Sequence, residues 1–128
     1  MPPAPDFPAR DGVLEPVWRW YREYGRYLTT ATRFMRKQAD WEYYRFLISD
    51  SELASVREAV RHRVPTALLV NEFHRDFARD GLSRIAERIG NFWFTRLARQ
   101  VDLILVADSG PDWPNVHRIG PIVRAPSA

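Results

Sequence analysis

Cysteine is absent from the 128-residue sequence, and its absence excludes several kinds of site. Without thiols the chain can form no disulfide framework, thiolate zinc site, iron–sulfur cluster or cysteine nucleophile. Histidine is scarce as well: His62, His74 and His117 are the three in the chain, and no two stand four residues apart. Because paired helical metal ligands need that spacing, we predict neither a metal site nor a cofactor.

Long apolar runs and the common catalytic signatures are also missing. The apolar runs at 66–70 and 103–107 are far shorter than the roughly 20 residues that span a bilayer. Residues 1–8 lack the order of a secretion signal, so we expect an intracellular, reducing compartment. No glycine-rich phosphate loop and no nucleophile elbow occurs. We therefore predict a protein that is not an enzyme; a small enzyme or effector with an unrecognised site stays an alternative.

Lysine is nearly absent, although the chain is basic with a formal net charge of +3. Of its 19 basic residues all are arginine except Lys37. Arginine is suited to bidentate contacts with phosphate and carboxylate groups and to stacking on aromatic rings. This bias fits two explanations, the codon usage of a GC-rich genome or a role in binding partners, and the sequence leaves both open.

Proline is abundant and concentrated near the two ends of the chain. Residues 1–12 hold four prolines and a glycine, and residues 108–128 hold four more prolines among apolar side chains. Proline fixes φ and removes a backbone donor, so regular structure is disfavoured in both segments. We predict an extended N-terminal arm at 1–12, a helical domain at 13–107 and an extended C-terminal arm at 108–128.

Within the central region, apolar residues recur at the three- and four-residue steps of amphipathic helices. The clearest pattern covers about 16–38, with an aromatic face and a basic face. Ser49 and Glu52 stand at capping-box spacing before a second helix that ends at Val64. A third helix is expected over 65–79, and a fourth from Leu82 to Leu97.

The apolar segment 101–107 is ambiguous between a strand and the last turns of the fourth helix. A strand would need a partner, for which 116–123 is the candidate, giving a short C-terminal hairpin. Helix continuation is favoured here. The sequence therefore predicts a mainly α fold, a compact bundle of about four helices with extended proline-rich arms.

Aromatic residues make up 13% of the chain, and together with arginine they are typical of interface cores. We therefore predict a non-enzymatic structural or accessory subunit that binds other proteins within a larger assembly. The predicted contacts lie on the arms and on the surface of the helical body. They are Phe7, Trp18, Arg22, Trp41, Trp113, Ile119 and Ile122.

The alternative is a helical domain that binds nucleic acid. The basic face of the first helix could follow a phosphate backbone, and the third and fourth helices could form a helix-turn-helix. The residues of this alternative site are Arg22, Arg26, Arg33, Arg36 and Lys37.

Overall fold

A computed structural model describes residues 3–6, 9–10, 13–14, 16–73, 75–107 and 110–120. A short antiparallel hairpin pairs β1 (Ala9–Arg10) with β2 (Val13–Leu14), and it leads into the long helix α1 (Val17–Gln38). The remaining elements are β3 (Leu47–Asp50), α2 (Leu53–Arg61), β4 (Thr66–Val70), α3 (Gly81–Ala98), β5 (Leu103–Val106) and β6 (Val116–Arg118).

The last four strands form one parallel sheet in the order β3-β4-β5-β6. Parallel neighbours need a crossover between them, and here α2 joins β3 to β4 while α3 joins β4 to β5. Because the strands are added in one direction and parallel crossovers are right-handed in nearly all proteins, both helices lie on the same face of the sheet. The chain is therefore an α/β fold.

The core lies between this face of the sheet and the two crossover helices. Alternate strand residues point toward the helices, and Leu68 and Ile104 are fully buried there beside Val56 of α2 and Leu97 of α3. The other face of the sheet carries Ile48, which is 73% exposed. The helical side therefore supplies the buried apolar core of the molecule.

Helix α1 forms a further layer and packs on both α2 and α3. Leu28 and Ala31 of α1 pack against Ala54 of α2 in a small apolar cluster. Near the other end, the guanidinium of Arg36 donates two hydrogen bonds, of 3.1 and 2.9 Å, to Oε1 of Glu58. Glu58 is only 1% exposed, so α1 supplies the charged partner of a carboxylate buried on α2.

The predicted helix bundle is wrong. Segment 65–79, expected to be a helix, forms β4 and then an irregular stretch that leads to α3. Segment 101–107, expected to continue the preceding helix, contains β5, and its partner β6 runs parallel to it and not as a hairpin. The physical reason is that an apolar run of four or five residues carries too few periods to separate a buried strand from a helix.

The three amphipathic segments predicted over about 16–38, from the Ser49 cap to Val64 and from Leu82 to Leu97 contain the helices α1, α2 and α3, although α2 ends at Arg61. The capping assignment differs. Ser49 lies in β3, and Glu52 is itself the N-cap of α2, accepting from the backbone N–H groups of Ala54 and Ser55. The side chain of Asp80 caps the start of α3 by accepting from the N–H of Ser83.

None of the helices in the described ranges is both long enough and apolar enough to cross a membrane.

The Arg36–Glu58 pair predicts unequal effects for two arginines that approach the same carboxylate. Arg36→Ala should lower the free energy of unfolding by about 2 kcal/mol, because it removes two hydrogen bonds from a buried charge. The Arg61 side chain is exposed to a similar extent as that of Arg36 but lies 3.8 Å from the same oxygen, beyond hydrogen-bond distance, so Arg61→Ala should change stability by less than about 0.5 kcal/mol. Urea denaturation measures both changes, and equal losses would contradict the pairing described here.

Two helical glycines allow a second matched comparison. A Cβ added at Gly90 of α3 would lie 2.8 Å from Cε1 of Tyr21 on α1, whereas nothing lies within 4 Å of one added at Gly25. Gly25→Ala should stabilise the protein by about 1 kcal/mol through helix propensity. Gly90→Ala should be less stable than Gly25→Ala by about 1–3 kcal/mol, the cost of overpacking. Thermal unfolding of the two variants measures the difference in stability. Equal stabilisation would show that the Tyr21 ring accommodates a methyl group at position 90.

Candidate binding cavity at the carboxyl ends of the strands

A cavity of about 710 Å³ opens at the carboxyl ends of β3 and β4. Its floor is formed by the ends of these strands and the residues that follow them, including Ser51, Val70 and Asn71. Its walls are the first three turns of α1, the start of α2 and the inner face of α3. Ligands of open parallel sheets bind at this edge, because the loops that leave the strands there can diverge and enclose a space.

The turn after β3 has a strained backbone. Ser51 has a φ of 58°, in the left-handed region that is unfavourable for residues other than glycine. The turn is held because the Ser51 N–H donates to the carbonyl of Leu69 at 2.9 Å, which continues the pairing of β3 with β4. Strain of this kind is found most often at functional sites, and here it lies on the floor of the cavity.

Two of the helix N-termini beside the cavity are occupied by carboxylates of the chain itself. The Glu52 side chain accepts at 2.8 and 2.9 Å from the first turn of α2, and Asp80 accepts from Ser83 at the start of α3. The start of α1 has no side-chain cap, and the N–H of Trp18 there donates to the Ser83 hydroxyl at 3.2 Å. Because helix N-termini attract anions, those of α2 and α3 are already satisfied by the chain, and the formal positive charge of the cavity comes from its arginines.

Helix α1 contributes an aromatic wall. Trp20 stacks on Tyr24 with ring centroids 5.1 Å apart and meets Tyr21 edge-on at 5.0 Å. The indole N–H of Trp20 donates to the carbonyl of Pro5 at 3.3 Å, which holds the N-terminal segment against the same wall. The repeat of aromatic residues on α1 thus forms a continuous ring surface facing the cavity.

Three arginines of the lining lie over tryptophan rings. The distance from the guanidinium carbon to the ring centroid is 4.3 Å for Arg57 over Trp93 and 4.9 Å for Arg75 over Trp20. The third pair, 5.5 Å apart, is Arg22 over Trp18. Stacking of this type holds a guanidinium group in place while its N–H groups can still donate, as those of Arg75 do to the Tyr21 hydroxyl.

The electrostatics of the cavity favour negative charge. Among its described lining residues, the three arginines face a single carboxylate, that of Glu72. Burial lowers the pKa of Arg57, and the charge of nearby Arg36 lowers it further, while Glu58 raises it. A partly dehydrated guanidinium stays protonated at neutral pH, and an anion would restore part of the stabilisation that water no longer supplies.

The phenols of the wall remain neutral donors at physiological pH. Burial raises the pKa of both Tyr21 and Tyr24 above 10.0, and the positive charge of Arg75 opposes this rise in each case. A neutral phenol can donate one hydrogen bond and accept others. The cavity therefore combines fixed cations, ring surfaces and uncharged polar groups.

Residues on α3 hold the segment that carries Arg75. Asn91 binds the backbone of Arg75 on both sides, accepting from its N–H at 3.2 Å and donating to its carbonyl at 3.0 Å. Two residues along, the buried carboxylate of Glu87 accepts from the backbone N–H groups of Phe77 and Ala78. These contacts anchor an irregular stretch that would otherwise have few backbone partners.

The residues predicted to bind proteins are dispersed in the structure. Trp18 and Arg22 line the cavity. Trp41 is buried beside α2, where it stacks on His62 at 6.0 Å. Trp113 meets Phe73 edge-on at 5.2 Å beneath the guanidinium of Arg99, and Ile119 is 46% exposed after β6. Phe7 and Ile122 lie outside the described residues.

The predicted nucleic-acid residues all lie on α1 but differ in their surroundings. All five are exposed, but the guanidinium of Arg36 donates to Glu58 and that of Arg22 lies over Trp18. The predicted helix-turn-helix is wrong, because its first helix would occupy 65–79, which holds β4. What remains of this alternative is a discontinuous basic stripe.

Sequence reasoning missed the residues that give the cavity its chemistry, which are Arg57, Arg75, Trp93, Glu87 and Asn91. Arg75 falls in the segment 65–79 that was predicted to be a helix, and residues 71–73 and 75–79 are not helical. Recognition of a strand ending at Val70 would have identified the stretch that follows it as part of the site, because polar residues directly after a buried parallel strand lie at the binding edge.

No group of three or more histidine, cysteine or acidic side chains within the described part of the chain could hold a metal ion.

Comparison with known proteins does not assign this chain to a family. No family model matches the chain, and no solved structure matches it significantly. Valine--tRNA ligase of Gluconobacter oxydans (strain 621H) is 41% identical over 49 residues, which is 38% of this chain. The matched part is 6% of the length of that protein, and a match of this extent does not place the chain in a family.

Proposed function

We propose that this chain is a binding domain of the α/β class that takes a small anionic ligand with a ring, held in the cavity between α1 and α3. The observation that carries the proposal is the set of three arginine–tryptophan pairs at the carboxyl edge of a parallel sheet. The volume of about 710 Å³ lies in the usual range for small-molecule sites, about 300–1,000 Å³.

The proposal follows from the chemistry of the lining. Guanidinium groups form paired hydrogen bonds with carboxylate and phosphate groups, and the indole and phenol rings offer stacking surfaces to a planar ligand. Because the starts of α2 and α3 are capped by Glu52 and Asp80, the proposal relies on the arginines for the formal positive charge that an anion needs.

Binding is proposed in preference to catalysis. The described lining holds one carboxylate and neither histidine nor cysteine, so it lacks a paired acid and base or an activated nucleophile. Aminoacylation is not proposed, since the similarity to valine–tRNA ligase covers only 6% of that enzyme.

Calorimetric titration with matched probes tests the proposal. Phenyl phosphate and AMP should bind, while phenol and adenosine, their uncharged counterparts, should bind at least about tenfold more weakly because they lack the charge-assisted contacts. Arg75→Ala should weaken binding of the two phosphates by at least about tenfold and leave the neutral probes unchanged.

Arg99→Ala is the matched control, because Arg99 also stacks on a tryptophan, Trp113, but does not line the cavity. It should bind both phosphates as the wild type does. Circular dichroism and the melting temperature of both variants establish that they are folded. Equal affinity for charged and neutral probes, or equal effects of the two arginine variants, would refute an anion site.

A second candidate is the protein-binding accessory role predicted from the sequence. It is supported by an exposed apolar stripe on α3, formed by Leu82, Ile85, Ile89 and Phe92, each 55–62% exposed, of which the first three also line the cavity and Phe92 does not. Large apolar side chains at helical spacing on one surface are typical of contacts with another protein.

Phe92 separates this role from ligand binding, since it does not line the cavity. Phe92→Asp should remove any protein that copurifies with the tagged chain in stoichiometric amount and leave phosphate binding intact. Phe34→Asp, on the exposed side of α1, is the control and should retain the partner. Copurification that survives Phe92→Asp would show that this stripe is not the contact.

A further inference from the structure

One edge of the parallel sheet is left open in the described part of the chain. Strand β3 pairs with β4 on one side, and none of the described strands pairs with its other side. The segment 46–50 along this edge contains neither lysine nor proline, two of the devices by which proteins prevent edge pairing. Phe46 and Ile48 are exposed there by 53% and 73%.

The opposite edge is protected. Strand β6 has only three residues, of which His117 and Arg118 are exposed and polar. Exposed polar and charged side chains oppose pairing at a sheet edge, whereas the β3 edge exposes Phe46 and Ile48. The two edges are therefore unequal, and an assembly through β3 would end at two copies without continuing into a filament.

The backbone groups available at β3 follow from its bonds to β4. The N–H groups of Leu47 and Ser51 donate to Pro65 and Leu69 of the β4 side at 2.9 Å each. Since N–H and C=O groups of alternate residues point to opposite sides of a strand, those of Ile48 and Asp50 face the open edge.

We infer that the occupant of this edge is a second copy of the chain, paired antiparallel through β3 about a twofold axis at Ile48. In this register Ile48 exchanges hydrogen bonds with the partner's Ile48, and Phe46 lies opposite the partner's Asp50. The twofold arrangement is the commonest for identical subunits, and the pairing uses every outward-facing backbone group from 46 to 50.

Charge and apolar surface both favour this occupant. Arg45 and Asp50 are exposed at opposite ends of the segment, so antiparallel pairing places the basic end of one copy next to the acidic end of the other, with Arg45 one residue beyond the position opposite the partner's Asp50. Residues 46 and 48 share one face of the sheet, and the pairing therefore gathers two phenylalanine and two isoleucine side chains around the axis. Pairing therefore removes part of the apolar surface of Phe46 and Ile48 from water.

The test uses the full chain, whose lack of cysteine makes single-cysteine variants unambiguous. Sedimentation velocity should show a dimer that dissociates on dilution, and Ile48→Lys should raise its dissociation constant at least about tenfold, because like charges would then face each other. The far-UV circular dichroism of Ile48→Lys should be unchanged, since Ile48 is exposed.

Ile48→Cys should form a covalent dimer under mild oxidation, because directly opposed residues that exchange hydrogen bonds have Cα atoms about 5.5 Å apart, within the range of about 4.4–6.8 Å for disulfides. Ile119→Cys, beyond β6 at the other edge, is the matched control and should stay monomeric on a denaturing gel. A monomeric wild type, a dimer unaffected by Ile48→Lys, or equal cross-linking at position 119 would each overturn the proposal.

Discussion

The pairing of β4 on both of its edges is the constraint on which the other features depend. Its residues are almost all buried, and buried backbone N–H and C=O groups must find partners. They do so in β3 and β5, with the carboxylate of Asp102 receiving the N–H of Thr66 at 2.9 Å at the start of the strand. A parallel arrangement then requires a crossover on each side, and α2 and α3 supply them.

The cavity is a consequence of that topology. Parallel strands end at one edge, so the residues after β3 and β4 meet there, and α1 closes the space above them. The strained turn at Ser51 and the irregular segment 71–80 are held by bonds to β4 and to α3. Arg75 thereby comes to lie over Trp20, although the two residues are far apart in the sequence.

The arginine-rich composition has a structural meaning that neither explanation from the sequence contained. Arginines lie over tryptophan rings in and beyond the cavity, and Arg36 donates two hydrogen bonds to Oε1 of the buried Glu58 carboxylate. Lysine would serve poorly over the tryptophan rings, because its compact charge is strongly hydrated and offers no plane to stack. The basic face of α1 is accordingly divided between internal partners and solvent.

The amino-acid sequence by itself determined the three helices and the absence of thiol chemistry. Helical hydrogen bonds join residues four apart, so the apolar stripe of α1 and the acidic residues near the starts of α2 and α3 carry their information locally. The strands were decided only by tertiary structure, because the hydrogen bonds of Thr66–Val70 go to distant segments and its short apolar run has no period of its own. The same holds for the cavity, whose arginines meet their tryptophans only after the sheet has brought the carboxyl ends of its strands together.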